Sequence, residues 1–282
     1  AGYSRQEAVM SAATTLDIGS GAIAGGGGAS IGQGVDVLQY RRQRDSFLDL
    51  QWRSQATANG DSETQPQRLS QVESLVNDTS ENGIGQLLSK FYSAWSGLAT
   101  NPESSAAQTA VMRAAQNLVA GFHSLSSSMT QISAQASQSI TDLLGPSGPV
   151  APLAEEINNL NLAINRSLLA GQQPNDLLDR RDQLLDQLSS YGQVSISTPD
   201  ASRPGWIQVS FAGASTPLVD TASTPAVTVP TAADISTTPG GVLQGLQKTI
   251  AQISGPAIPN YLSSLDDVAS SIVAAVNGAH TS

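Results

Sequence analysis

The side chains with the widest chemical reach are few and scattered. The chain has no cysteine and only two histidines, His123 and His280. That removes thiol nucleophiles, disulfides, four-cysteine zinc sites and iron–sulfur ligation, and leaves too few imidazoles for a three-histidine zinc centre. A Ser-His-Asp hydrolase needs a base oriented by an acid, and no G-x-S-x-G elbow is present. His123 follows Phe122 in a heptad-patterned stretch and reads as a helix-surface histidine, while no acid is placed to orient His280 near the chain end. Asp200 and Asp220 fall in a β-rich segment and make a poor glycosidase pair.

Two further clusters invite a binding interpretation. Gly25 to Gly28 could cradle a phosphate, but the run lacks the GK[ST] ending and the strand-to-helix frame that supply a cation and a helix dipole, so a flexible loop is predicted. Asp176, Asp179, Asp182 and Asp186 have helical spacing. Carboxylates diverge along a helix, and Arg180 and Arg181 interleave with these, which predicts a solvated, salt-bridged face rather than a calcium site. No catalytic residue, metal or cofactor is expected, and the chain is not expected to be an enzyme.

The bulk properties agree. The 282 residues carry a formal charge of −10, with 13% charged and 4% aromatic residues. A chain without cationic excess has no counterions to release from nucleic acid, so none is expected as a partner. No apolar run approaches the roughly 20 residues of a membrane helix, so membrane insertion is not expected. The polar surface must come from Ser, Thr, Gln and Asn, which suits an elongated subunit with many neighbours.

The elements follow from periodicity. Residues 1–40 alternate loosely and predict extended chain, with two short strands around the Gly-rich loop packing on a bundle. From Arg41 the period lengthens, with Phe47, Leu50, Ser54 and Ala58 on one stripe and Leu69, Val72 and Val76 on another, and Pro66 predicts a kink or division between them. A helix is predicted from about Ile84 to Ala99. The strongest pattern runs from about Ser104 to Leu144, opened by Asn101 and Pro102: Val111, Ala115, Leu118, Phe122, Leu125, Met129, Ile132, Ala136, Ile140 and Leu143 make a heptad stripe. GPSGP at 145–149 breaks it, after which the stripe either returns antiparallel or continues past a kink. Asn175 reads as an N-cap for a helix presenting Leu177, Leu178, Arg181, Leu184, Leu185 and Leu188 along one side. Alternation in QVSIS and WIQVSFAG predicts a small antiparallel β-unit before the final helices. The predicted fold is mainly α: an elongated antiparallel helical bundle or coiled coil with a small antiparallel β-unit, divided as 1–40, a rod at 41–192, the β-unit at 193–238 and returning helices at 239–282.

Several of these segments resemble the flagellar hook-associated family that forms the first part of the junction between hook and filament. AGYSRQ at 1–6 resembles the family's GY[ST]RQ stretch, and GQGVDVLQYRRQRDSFLDLQWR at 32–53 resembles its G-x-GV-x-V segment with the following helix. NPESSAAQTAVMRAAQNLVAGFHSL at 101–125 is similar to a family helix. PNDLLDRRDQLLDQLSSYGQVSIS at 174–197 resembles the signature N-[DE]-LLD-x-RD-x-L leading into a strand, and SSLDDVASSIVAAVNGAH resembles the segment where the helical domain is re-entered. The signature positions carried over, all structural, are Gly2, Tyr3, Arg5, Gln6, Asn175, Leu177, Leu178, Asp179, Arg181, Asp182 and Leu184. The resemblance implies a structural component of the bacterial flagellum, secreted by the flagellar type III route. It also implies an adaptor at the hook–filament junction whose partners are the hook protein, the second hook-associated protein, further copies of itself and, for the full-length protein, an export chaperone. It further implies that the chain is a fragment lacking terminal segments. A secreted helical adhesin, or a type III needle or translocator protein, is the alternative that shares the acidity, the heptads and the lack of cysteine.

Overall fold

Helical periodicity dominates the chain, and seven helices follow the order it predicts. The computed structural model describes residues 5–13, 16–17, 30–31, 34–43, 45–76, 80, 82–220, 226–256 and 259–281. Among them, β1 (Arg5–Ala12) and β4 (Val35–Gln43) pair antiparallel, and β2 (Leu16–Asp17) pairs with β3 (Ser30–Ile31). The helices are α1 (Ser46–Val76), α2 (Ile84–Thr100), α3 (Ser105–Leu144), α4 (Val150–Leu169), α5 (Asn175–Tyr191), α6 (Gly241–Ser254) and α7 (Tyr261–Thr281). Strands β5 (Val194–Ser197) and β6 (Gln208–Phe211) form the small antiparallel unit, extended by bridges from Val209 to Val219 and from Val219 to Val227. The mainly α fold with a small β-unit is as the sequence predicts.

The helices arrange as three strands of a rod. One is α1 followed by α2, the second is α3 followed by α4, and the third is α5, α6 and α7 in succession. Three apolar clusters mark successive levels. Val72 of α1, Met129 and Ile132 of α3 and Ile253 of α6 share one. Leu87 and Phe91 of α2, Leu118 of α3 and Val276 of α7 share another. The largest joins the end of α3 to α4, α5, the β-unit and α6 through Ile140, Ile157, Leu188, Phe211 and Leu243. Burying these side chains is the main stabilising term, on the order of 25 cal/mol for each Å² of apolar surface removed from water.

The heptad stripe accounts for α3. All ten of its positions are buried or half-buried, and at 1.5 Å per residue its 40 residues make a helix of about 60 Å. Ser104 rather than Asn101 caps it, its Oγ accepting from the Ala107 N–H at 3.3 Å. The GPSGP segment ends α3, and α4 leaves without lying back along it, so the stripe continues past a break.

Three local expectations differ from the structure. Strand β4 runs to Gln43 and α1 starts at Ser46 rather than Arg41, because Asp45 Oδ1 accepts from the Phe47 N–H at 2.9 Å and sets the helix start there. Helix α1 passes through Pro66 undivided. Pro66 is exposed, so the carbonyl it leaves without a donor faces water, while Asp61, Thr64 and Arg68 hold the packed side to its neighbours. The stripe of Phe47, Leu50, Ser54 and Ala58 faces solvent, not the core.

The buried side of the first half of α1 is instead polar and small. A Cβ on Gly60 would lie 2.3 Å from the Ser190 carbonyl oxygen, and one on Gly245 would lie 2.7 Å from Thr64 Cβ. The α1 backbone therefore closes directly onto the end of α5 and onto α6, running parallel to both.

Candidate functional site

Among the described residues, none with catalytic potential forms a reactive constellation. His123 stands exposed on α3. Asp200 accepts from Ser202 N–H and Oγ at 2.9 and 2.5 Å, and Asp220 accepts from Gln208 Nε2 at 3.2 Å, so each is engaged in its own neighbourhood. Among the described residues, no group of three His, Asp or Glu side chains could hold a metal. The Gly25 to Gly28 run, Gly2 and Tyr3 lie outside the described residues, as does the side chain of His280.

The signature helix α5 is where the structure concentrates charge. Of its four aspartates, all expected to be solvated, Asp176 stays exposed while Asp179, Asp182 and Asp186 turn inward. Arg42 at the end of β4 donates through Nε to Asp179 Oδ1 at 2.7 Å and through Nη2 to Asp182 Oδ2. Arg53 of α1 donates through Nη2 to Asp182 Oδ1 at 3.4 Å and through Nε to Asp186 Oδ1 at 2.9 Å. Asp182 thus joins both arginines. Asp179 is 2% exposed and Arg53 is 8% exposed, so this clasp is largely removed from water. Asp179, Asp182 and Asp186 are spaced by three and four residues, which puts them on one face of α5. Arg180 alone keeps the expected solvent-side pairing, to Glu156 at 2.9 Å.

Asn175 is not the helix cap. Pro174 precedes the first turn, and the Asn175 side chain donates through Nδ2 to the Tyr40 carbonyl at 2.8 Å, fastening α5 to β4. Arg181 faces the opposite side of α5 and binds the β-unit. Its Nη1 donates to Asn161 Oδ1 at 2.9 Å and to the Gly205 carbonyl at 2.5 Å, while Asn161 Nδ2 donates to the Ile207 carbonyl at 2.8 Å. Burial pushes the Arg181 guanidinium down from its ordinary value to about 10; Asp182 pulls it up, and Arg42 and Arg53 push it down. It stays charged at neutral pH. Leu184 is buried in the main core and Leu177 and Leu178 are half-buried. Arg5 and Gln6 lie on β1, exposed and far from α5 in sequence, in the register that pairs Arg5 with Gln43 and Gln6 with Arg42.

Sequence reasoning missed Arg42 and Arg53 as partners of the signature aspartates. The available signal was that three carboxylates share one helical face while only one of the two arginines among them, Arg180, reaches a solvent-side partner.

The second feature is an exposed apolar surface beside the clasp. Met10, Val35, Val37, Leu38 and Tyr40 on the β1–β4 arm, and Phe47, Leu48, Leu50 and Trp52 at the start of α1, all face solvent. Leu38 is the extra residue of a bulge between the Val9–Gln39 and Met10–Val37 pairs. Among the described residues, half of the exposed large apolar side chains belong to this arm and the start of α1, more than a scatter of surface residues would give.

A family model described as the helical domain of the flagellar hook-associated protein FlgK matches residues 69–282. Flagellar hook-associated protein 1 of Bacillus subtilis is 32% identical over 168 residues, 59% of this chain and 32% of that protein. The protein of the same name in Salmonella typhimurium is 32% identical over 203 residues, 71% of this chain and 34% of the relative. Its Escherichia coli counterpart is 26% identical over 262 residues, covering 91% and 43%. The solved structure of the flagellar hook junction protein FlgK from Burkholderia pseudomallei superimposes with a TM-score of 0.56 at 19% identity, over 72% of this chain and 39% of that one, and shares its fold. The chain therefore spans about a third of the length of the first of these curated relatives and less than half of each.

Proposed function

Because the chain belongs to the family of the flagellar hook-associated protein FlgK helical domain, we propose that it is a structural part of an adaptor at the hook–filament junction, the platform on which the filament assembles. The observation that carries this reading is the exposed apolar surface that Met10, Val35, Val37, Leu38 and Tyr40 of the arm make with Phe47, Leu48, Leu50 and Trp52 of α1. Such a surface is costly in water and is relieved by a neighbouring subunit. A tube of repeated subunits needs stiff elongated bodies, lateral contacts and no active site, and the chain contributes as scaffold rather than as catalyst.

The partners on this reading are further copies of the same protein, the hook protein on one side and the second hook-associated protein on the other, with an export chaperone for the full-length protein before assembly. Its place is outside the cell, in the flagellum, reached by the flagellar type III route. Among the described residues no helix is long and apolar enough to cross a membrane. The test is deletion of the gene, with electron microscopy of the cells and assay of flagellin in the medium. Bare hooks with flagellin lost to the medium are expected. Normal filaments with unimpaired swimming would overturn the reading.

A further inference from the structure

We propose that the β1–β4 arm is a lever held at its base, its direction relative to the helical rod fixed by the Arg42 clasp, and that opening the clasp frees the arm while the rod stays folded. The inference deepens the assembly reading above, since it assigns the exposed apolar surface of the arm an adjustable direction.

Four observations carry it. First, among the described residues, no side chain of β1 or β4 belongs to any of the three apolar clusters, and neither strand packs along a helix. The arm's own cohesion lies in its ladder from Arg5–Gln43 to Ala12–Val35. Second, only residues 44 and 45 separate the last residue of β4 from the first of α1. Third, the links from the arm to α5 sit next to that pivot: Arg42 to Asp179 and Asp182, and the Tyr40 carbonyl accepting from Asn175. Fourth, an open cleft of 670 Å³ separates the arm from the α4–α5 turn, lined by Gln6, Leu38, Tyr40, Gly171, Gln173 and Leu177, which leaves room for the arm to swing.

The chemistry of the clasp explains how the arm could unhook without disturbing the rod. Asp182 is shared, so when Arg42 withdraws, Asp182 keeps Arg53 as its partner and α1 stays docked. Arg42 uses Nε and Nη2 to hold two carboxylates three residues apart on α5. A planar guanidinium can span that pair and fix an angle; a lysine ammonium, a point charge on a flexible stem, can neutralise but not orient.

The chain has no native cysteine, so spin labels at V37C on the arm and Q187C on α5, both exposed positions, report the arm's direction by electron–electron distance measurement on the purified chain. The otherwise unaltered chain is expected to give one narrow distance. Arg42→Gln and Arg42→Lys are both expected to lose that narrow distance with the helical circular dichroism unchanged. The paired variant Arg42→Gln/Asp179→Asn, which removes both ends of one ion pair and leaves no bare charge, is expected to do the same should the single variants aggregate. A narrow distance retained in the paired variant, a narrow distance restored by Lys, or a loss of helical signal accompanying the change would overturn the lever. These outcomes concern the isolated chain and are independent of the gene-deletion result, so the lever and the junction role fail separately.

Discussion

Arg53 and Asp186 meet at 2.9 Å although 133 positions separate them in the chain. The contact ties the second turn of α1 to the fourth turn of α5, in a region where α1 offers no apolar side chain to the core. What holds α1 there is charge, the Thr57 hydroxyl donating to the Ser189 carbonyl at 2.8 Å, and the direct backbone approach at Gly60.

Removing Asp182 breaks two largely buried ion pairs at once and leaves Arg42 with Asp179 and Arg53 with Asp186. Asp182→Ala is expected to destabilise the chain by about 3 kcal/mol, the scale on which breaking a buried ion pair is felt. Arg180→Ala, which breaks only the half-exposed pair with Glu156, is expected to change stability by less than about 1 kcal/mol. Urea denaturation of the two variants checks the contrast, and equal effects would contradict the assignment of the buried cluster.

The glycines of α1 and α2 give a second contrast. Gly60→Ala puts a methyl 2.3 Å from the Ser190 carbonyl oxygen and must push α1 off α5, so a clear loss in thermal midpoint is expected. Gly97→Ala in α2 meets nothing within 4 Å and is expected to raise stability by up to about 1 kcal/mol through helix propensity alone. A midpoint for Gly60→Ala at or above that of the parent chain would refute the close packing.

The fork of Arg181 predicts a local defect at the β-unit. Arg181→Met leaves Asn161 Oδ1 and the Gly205 carbonyl without this donor, and the cost is about 1–3 kcal/mol for each buried acceptor left unpaired. Gly205 adjoins Trp206, whose ring lies 5.1 Å from the Arg203 guanidinium carbon, so a shift in tryptophan fluorescence should accompany the loss. Unchanged fluorescence and stability would show that Arg181 does not hold the β-unit.

Asp200 supplies a pH prediction. The Ser202 hydroxyl, and after it the Ser202 backbone N–H, hold its carboxyl below the usual 3.8, with a smaller pull from Arg203. A depressed acid stabilises the fold above its unfolded pKa, and that contribution disappears as pH falls through the folded value. The turn at 200–203 should therefore stay ordered at pH 4 and loosen in stronger acid. Carboxyl titration by nuclear magnetic resonance should find Asp200 below 3.8 and returning toward it in Ser202→Ala; an unmoved titration in that variant would contradict the cause.

The rod was legible in the sequence because forty residues with one heptad stripe leave little freedom: every position from Val111 to Leu143 assigned to the stripe faces inward. Strands β5 and β6 were legible for the same reason at period two. The start of α1 was not. Its apolar residues Phe47 and Leu50 have core-like spacing but face solvent, and its buried residues, Arg53 and Gly60, are types that local pattern reads as surface and as a weak point. The acidic stripe of α5 failed in the same way, because carboxylates spaced for solvent are equally spaced for arginines brought in from more than a hundred residues away. Pro66 reads as a breaker only when the side it occupies is unknown.

The central claim is a place in the flagellum, and immunogold electron microscopy with antibody to this chain tests it most directly. The account predicts label confined to the short zone where the filament meets the hook. Label spread over the cell surface, or along the whole filament, would contradict it.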